Sequence, residues 1–137
     1  YYHATKYALE ALTDALRFEV NGFGIHVSLI QPGLIRSRFA ATAVDTAGAP
    51  ADVDDPYGPF LSEVRRITTE SYEKGRMAPL AGNPEDVARV IARALTDPRP
   101  RTRYRVTPSA TVLMTLRRLL GDRAWDGFLR RTYVSPR

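Results

Sequence analysis

Cysteine is absent from the chain, which excludes a disulfide framework, a thiolate zinc site and a cysteine nucleophile. Long apolar runs are absent as well: no stretch reaches the roughly eighteen residues of a membrane-spanning helix, so insertion into a membrane by a helix is not expected. Lysine is scarce, with only Lys6 and Lys74 among twenty basic residues. Histidine is limited to His3 and His26. Neither histidine has a cluster of ligand-type residues near it in sequence, so no metal site is expected.

The net charge of +5 is unevenly spread, because residues 99–137 hold ten basic and two acidic side chains. A basic tail can meet nucleic acid or an anionic membrane surface. No nucleic-acid motif and no interleaved aromatic platform accompanies this one. The expectation is therefore a solvated, arginine-rich face with no nucleic-acid partner.

What is present is enough apolar content, 44% of 137 residues, for one modest core. The chain opens on Tyr1-Tyr2-His3 without an initiator Met, and a helical pattern is already under way by Ala8. It reads as one incomplete domain over residues 1–137, with a missing N-terminal half upstream.

Ala8, Leu9, Leu12, Ala15, Leu16 and Val20 recur at helical spacing with Glu10, Asp14, Arg17 and Glu19 between them, which predicts a long helix over residues 4–20. Asn21-Gly22-Phe23-Gly24 supplies the turn-permissive residues that end it. Ile25-His26-Val27-Ser28-Leu29-Ile30 is short, rich in β-branched residues and closed by Pro32-Gly33, and predicts a buried strand. Residues 34–80 carry a weaker pattern, irregular between 42 and 59 and helical from 59 to about 75.

Asn83-Pro84-Glu85-Asp86 starts the next helix with an Asn cap, a first-position proline and acids in the first turn. Pro98 and Pro100 stop it. Arg103-Tyr104-Arg105-Val106 alternates as a half-buried strand, and Thr107-Pro108 opens a further helix. Gly121-Asp122 parts that helix from a last one carrying Trp125, Phe128 and Leu129. This order fits the closing half of an open α/β sheet.

The chemistry begins with Tyr2-His3-Ala4-Thr5-Lys6, which places a phenol and an ammonium four residues apart on one helix face. A neighbouring cation favours the phenolate, which suits the phenol to proton transfer. About thirty residues later, Pro32-Gly33-Leu34-Ile35-Arg36-Ser37 follows the predicted strand. Ligands of open parallel sheets sit beyond the carboxyl ends of the strands, where this loop falls. Gly33 would let the backbone approach a flat ring, and the loop's carbonyl, amide and Ser37 hydroxyl could bond a carboxamide. His3 points about 100° around the helix from Tyr2 and His26 sits mid-strand, so neither is assigned an acid/base role.

Together these residues resemble the short-chain dehydrogenase/reductase family, with a weaker likeness to its hydroxysteroid and retinol dehydrogenase-like members. Tyr2 and Lys6 match the family's Tyr-x-x-x-Lys, and Pro32-Gly33 matches its loop after the strand; the likeness runs from Tyr2 to about Val106. It implies a Rossmann-type doubly wound parallel sheet, of which this chain would form the closing half, with a substrate lid at 39–80 and a helical extension at 107–137. It further implies NAD or NADP as cofactor, an alcohol or ketone substrate, a homodimer or homotetramer, and a cytoplasmic enzyme.

Catalysis would fall to Tyr2 and Lys6, cofactor contact to Tyr2, Lys6, Pro32, Gly33, Ile35 and Ser37, and substrate contact to Phe39, Tyr57 and Phe60. Ser37 stands where the family carries Thr, keeping the hydroxyl without its methyl. The family's Gly-rich phosphate loop and its catalytic Ser and Asn are not in these residues, so the chain alone is expected to be inactive. Two other readings remain: a non-catalytic relative serving as a binding module, and a basic fragment acting through its tail.

Overall fold

The computed structural model describes residues 2–46, 57–75 and 77–132. Tyr2–Val20 forms α1, and a 3-10 turn over Asn21–Phe23 leads to Gly24, whose φ of 69° is the left-handed value a glycine supplies at no steric cost. The strand β1, Leu29–Gln31, follows, then α2 at Phe39–Thr46 and α3 at Gly58–Glu73. A second 3-10 turn at Ala78–Leu80 precedes α4, Pro84–Thr96. The strand β2 is Arg103–Arg105, and α5 (Pro108–Leu119) and α6 (Asp122–Thr132) end the described chain.

The fold is α/β, with β1 and β2 paired in parallel so that Leu29, Ile30 and Gln31 lie opposite Arg103, Tyr104 and Arg105. Parallel strands require a crossover, and α2, α3 and α4 supply it. The ladder is closed by Leu29 N donating to Thr102 O at 2.9 Å and by Val106 N donating to Gln31 O at 3.1 Å.

This shortens the strand expected over residues 25–30. β2 offers only three residues to pair with, so residues 25–28 stay outside the ladder, and Ser28 instead donates its hydroxyl to Arg101 O at 2.8 Å. Leu29 and Ile30 are half-buried rather than buried, because among the described residues the sheet has two strands and the other edge of β1 is unpaired. A second departure lies at residues 42–46, where the helix α2 replaces the start of the irregular run expected over 42–59. Phe39-Ala40-Ala41-Thr42-Ala43 is a helix-permitting sequence, and the Ser37 hydroxyl accepts the Phe39 amide at 3.3 Å at its start.

The apolar stripe of α1 does not pack on the sheet as its periodicity suggests. Leu9, Leu12 and Leu16 are exposed, and Thr13 is the buried residue of this helix. Polar bonds dock it instead. Glu10 accepts from Gln31 Nε2 at 2.6 Å and from Arg103 Nε at 3.1 Å. Arg17 reaches across to Val27 O at 3.1 Å. The buried apolar residues Ala78, Tyr104 and Ala110 sit where the second 3-10 turn, β2 and α5 lie.

The helix starts read from sequence have a physical basis in the structure. Asp86 turns back to accept the Asn83 amide at 2.8 Å, and Thr107 Oγ1 accepts the Ala110 amide at 3.2 Å. At the C-terminal end Arg117 pairs with Asp122 at 2.9 Å and lies 5.6 Å from the Trp125 ring centre, joining α5 to α6. No helix among the described residues is long and apolar enough to cross a membrane.

Candidate active site

Tyr2 and Lys6 occupy the first two turns of α1. Their i, i+4 spacing brings Lys6 Nζ to 5.2 Å from the centre of the Tyr2 ring, within cation–π reach. The Tyr2 ring meets Phe39 at 5.5 Å between centres and His3 at 5.7 Å edge-on. Tyr2 is 52% and Phe39 43% exposed, so the phenol stands on an open surface with an aromatic neighbour from α2. The structure thus brings together three of the residues singled out in sequence: Tyr2, Lys6 and Phe39.

The loop after β1 is held from two sides. Leu34 N donates to Ser109 Oγ at 3.0 Å, Gly82 N donates to Leu34 O at 2.9 Å, and Arg36 N donates to Gly82 O at 2.9 Å. Ile35 and Gly82 therefore form a parallel bridge. In such a bridge Gly82 bonds the residues on either side of Ile35, and Ile35's own N–H and C=O point away. They take no partner among the described residues.

Gly33 is required here for a reason the sequence did not reveal. A Cβ at this position would collide with Thr107 Oγ1 and Ser109 Oγ and lie 2.6 Å from Ala110 N. The close approach it permits is to the start of α5. Pro32, by contrast, is exposed. The amides of Leu34 and Arg36 are already engaged, whereas the N–H and C=O of Ile35 are among the loop's backbone groups without a partner among the described residues.

Ser37 accepts from the Phe39 amide and lines an open cleft of about 940 Å³ between Arg36–Arg38 and Lys74, Gly75, Ala78 and Pro79. Tyr2 and Phe39 do not line this cleft. Arg36 spans it, donating to Ala78 O at 3.1 Å and Ala81 O at 3.3 Å. Tyr57 and Phe60 lie at the start of α3, which packs on α2. Tyr57 is 57% exposed and Phe60 half-buried. Parts of the expected lid, residues 47–56 and 76, and the end of the C-terminal extension, residues 133–137, lie outside the described residues.

Sequence reasoning missed Arg36, Gly82, Thr107 and Ser109 as parts of this site. Thr107-Pro108 was legible as a helix start, but a cap signal is local and carries no information about a loop 75 residues earlier. Arg36 lay inside the quoted motif without an assigned role.

No family model matches the chain. Among curated proteins, the uncharacterized oxidoreductase YbbO of Escherichia coli is 36% identical over 94% of this chain and 41% of its own length. The probable short-chain type dehydrogenase/reductase VdlC of Helicobacter pylori is 28% identical over 95% of the chain and 45% of its own length. The chain belongs to the short-chain dehydrogenase/reductase family. Human 17-beta-hydroxysteroid dehydrogenase type 1, 31% identical over 85% of the chain and 34% of its own length, is a further relative within it. The chain spans less than half the length of these short-chain dehydrogenase relatives.

Proposed function

We propose that the chain forms the C-terminal half of an oxidoreductase that moves hydride between NAD or NADP and an alcohol or ketone, with Tyr2 handling the proton. The observation that carries this reading is the Tyr2–Lys6 pair, with the ammonium 5.2 Å from the ring centre on an exposed helix start. When bound, the nicotinamide cofactor supplies or accepts the hydride. In the reducing direction the Tyr2 hydroxyl gives its proton to the carbonyl oxygen as the carbonyl carbon is reduced; in the oxidising direction it takes the proton back. Lys6 stabilises the phenolate left on Tyr2 and bonds the cofactor ribose.

Ile35 fits the carboxamide end of such a cofactor. It presents one backbone donor and one acceptor, neither used within the described residues, and a primary carboxamide offers their complement. Pro32 and Gly33 shape the turn that carries Ile35, and Ser37 adds a hydroxyl two residues before the start of α2. Phe39, its ring tilted against Tyr2, together with Tyr57 and Phe60, favours a bulky hydrophobic substrate over a small polar one. In this reading the parallel pair β1–β2 closes a Rossmann-type sheet, residues 39–80 form the lid, and the start of the extension at 107–137, through Thr107 and Ser109, braces the loop.

Tyr2→Phe in the full-length enzyme is expected to lower turnover by roughly 10²–10⁴-fold with cofactor affinity little changed, since only the transferable proton is lost. Steady-state kinetics with direct dinucleotide titration tests this. Turnover kept within a few-fold would overturn the assignment.

A further inference from the structure

We propose that Ser109 is a positioning residue for the cofactor loop, so that the start of α5 sets dinucleotide affinity without touching the dinucleotide. This rests on the reading of residues 32–37 as the loop that holds the carboxamide. Ser109 has no exposed surface and is the one side chain among the described residues buried to that degree. Its hydroxyl accepts the Leu34 amide at 3.0 Å and lies 2.8 Å from the Thr107 hydroxyl. Thr107, itself 4% exposed, also accepts the Ala110 amide.

The two hydroxyls therefore have separate tasks. Thr107 caps its own helix, whereas Ser109 spends its acceptor on a loop 75 residues away in sequence. Gly33 brings that loop so close that no Cβ fits between them.

Peptide planarity turns this contact into aim. Leu34 O and Ile35 N–H share one peptide plane, and Ile35 O and Arg36 N–H share the next. Gly82 fixes both planes from one side. Ser109 fixes the plane before them, through the Leu34 amide. With all three planes held, Ile35's free donor and acceptor point in a set direction. Without Ser109 the part-buried Leu34 amide loses its partner, and the loop must move to find one.

The test compares Ser109→Ala with Phe128→Ala in the full-length enzyme. Phe128 is half-buried against Trp125 on α6, so its truncation costs packing in the same C-terminal segment without reaching the loop. Calorimetric titration with NADH and NADPH is expected to show about tenfold weaker binding in Ser109→Ala, the effect of one part-buried hydrogen-bond partner removed. Binding by Phe128→Ala is expected to match the native enzyme. Hydrogen exchange should show the Leu34 amide protected in the native enzyme and in Phe128→Ala and unprotected in Ser109→Ala.

Native-like affinity in Ser109→Ala overturns the proposal, as does equal weakening in Phe128→Ala. If the native enzyme binds neither dinucleotide, the underlying reading of the loop fails, and the positioning role fails with it.

Discussion

Arg103 on β2 and Asp14 on α1 are joined by a 2.6 Å ion pair although they lie 89 residues apart. Asp14 takes a second arginine, Arg17, on its other oxygen at 2.7 Å, and Arg103 also reaches Glu10. The helix that carries Tyr2 and Lys6 is thus held to the strand pair by charge, where its leucines are not.

The hydrogen bond from Arg103, and then that from Arg17, holds the Asp14 carboxyl below the ordinary carboxylate range. A carboxyl depressed in the folded protein contributes stability that is fully present above its unfolded pKa of about 3.9 and is lost as pH falls through the folded value. Asp14→Asn is therefore expected to lower the urea midpoint near neutral pH, and the gap to the native protein should close as pH drops below about 4. A gap that stays constant to lower pH would show that these arginines do not act through the carboxylate charge.

Gly33→Ala is expected to destabilise by about 1–3 kcal/mol, the range for forcing a methyl into a filled space, because the new carbon meets Thr107, Ser109 and Ala110. Gly121→Ala, with nothing within 4 Å of the added carbon, should stay within about 0.5 kcal/mol of the native value. Chemical denaturation of both variants checks the contrast. Equal effects would mean that the approach of the loop to α5 is not tight in solution.

On α1, Tyr7 and Phe18 are 68% and 87% exposed, on a second face turned away from the uncovered leucines. If the full-length enzyme is a homodimer or homotetramer, as proposed from the family resemblance, this face is expected to meet a second copy. Phe18→Asp is then expected to shift the full-length enzyme toward monomer, read by sedimentation at micromolar concentration. A native enzyme that is already a monodisperse monomer would contradict the assembly.

A lid built on α2 and α3 should gain amide protection when a bulky hydrophobic ketone and cofactor are added, whereas β1 should change little. Hydrogen exchange of α2, α3 and Leu29–Gln31 with and without ligands measures this. Protection in α2 and α3 equal to that of β1 before any ligand is added would remove the lid from the mechanism.

The parts of the fold legible in sequence were those governed by local rules. Tyr2 and Lys6 met because helical spacing alone brings i and i+4 together, and Asn83-Pro84 and Thr107-Pro108 marked helix starts because capping is a matter of a few residues. Residues 25–28 looked like strand by composition, yet pairing depends on a partner, and β2 supplies three positions. The stripe on α1 was real as a pattern but its cover is not among the described residues. Ser109, Gly82 and Arg36 escaped notice because their roles are tertiary: each bonds a segment far off in the chain.

The bond between Leu34 and Ser109 also bears on the order in which the molecule can mature. The turn after β1 is complete only when Gly82 and then Ser109 have arrived, and contacts of such sequence separation form late because the intervening chain must first be closed into a loop. During synthesis, Tyr2 and Lys6 emerge long before the backbone edge of Ile35 acquires its direction. A ribosome-bound chain that has not yet emerged as far as α5 would carry Tyr2 and Lys6 without a fixed turn after β1.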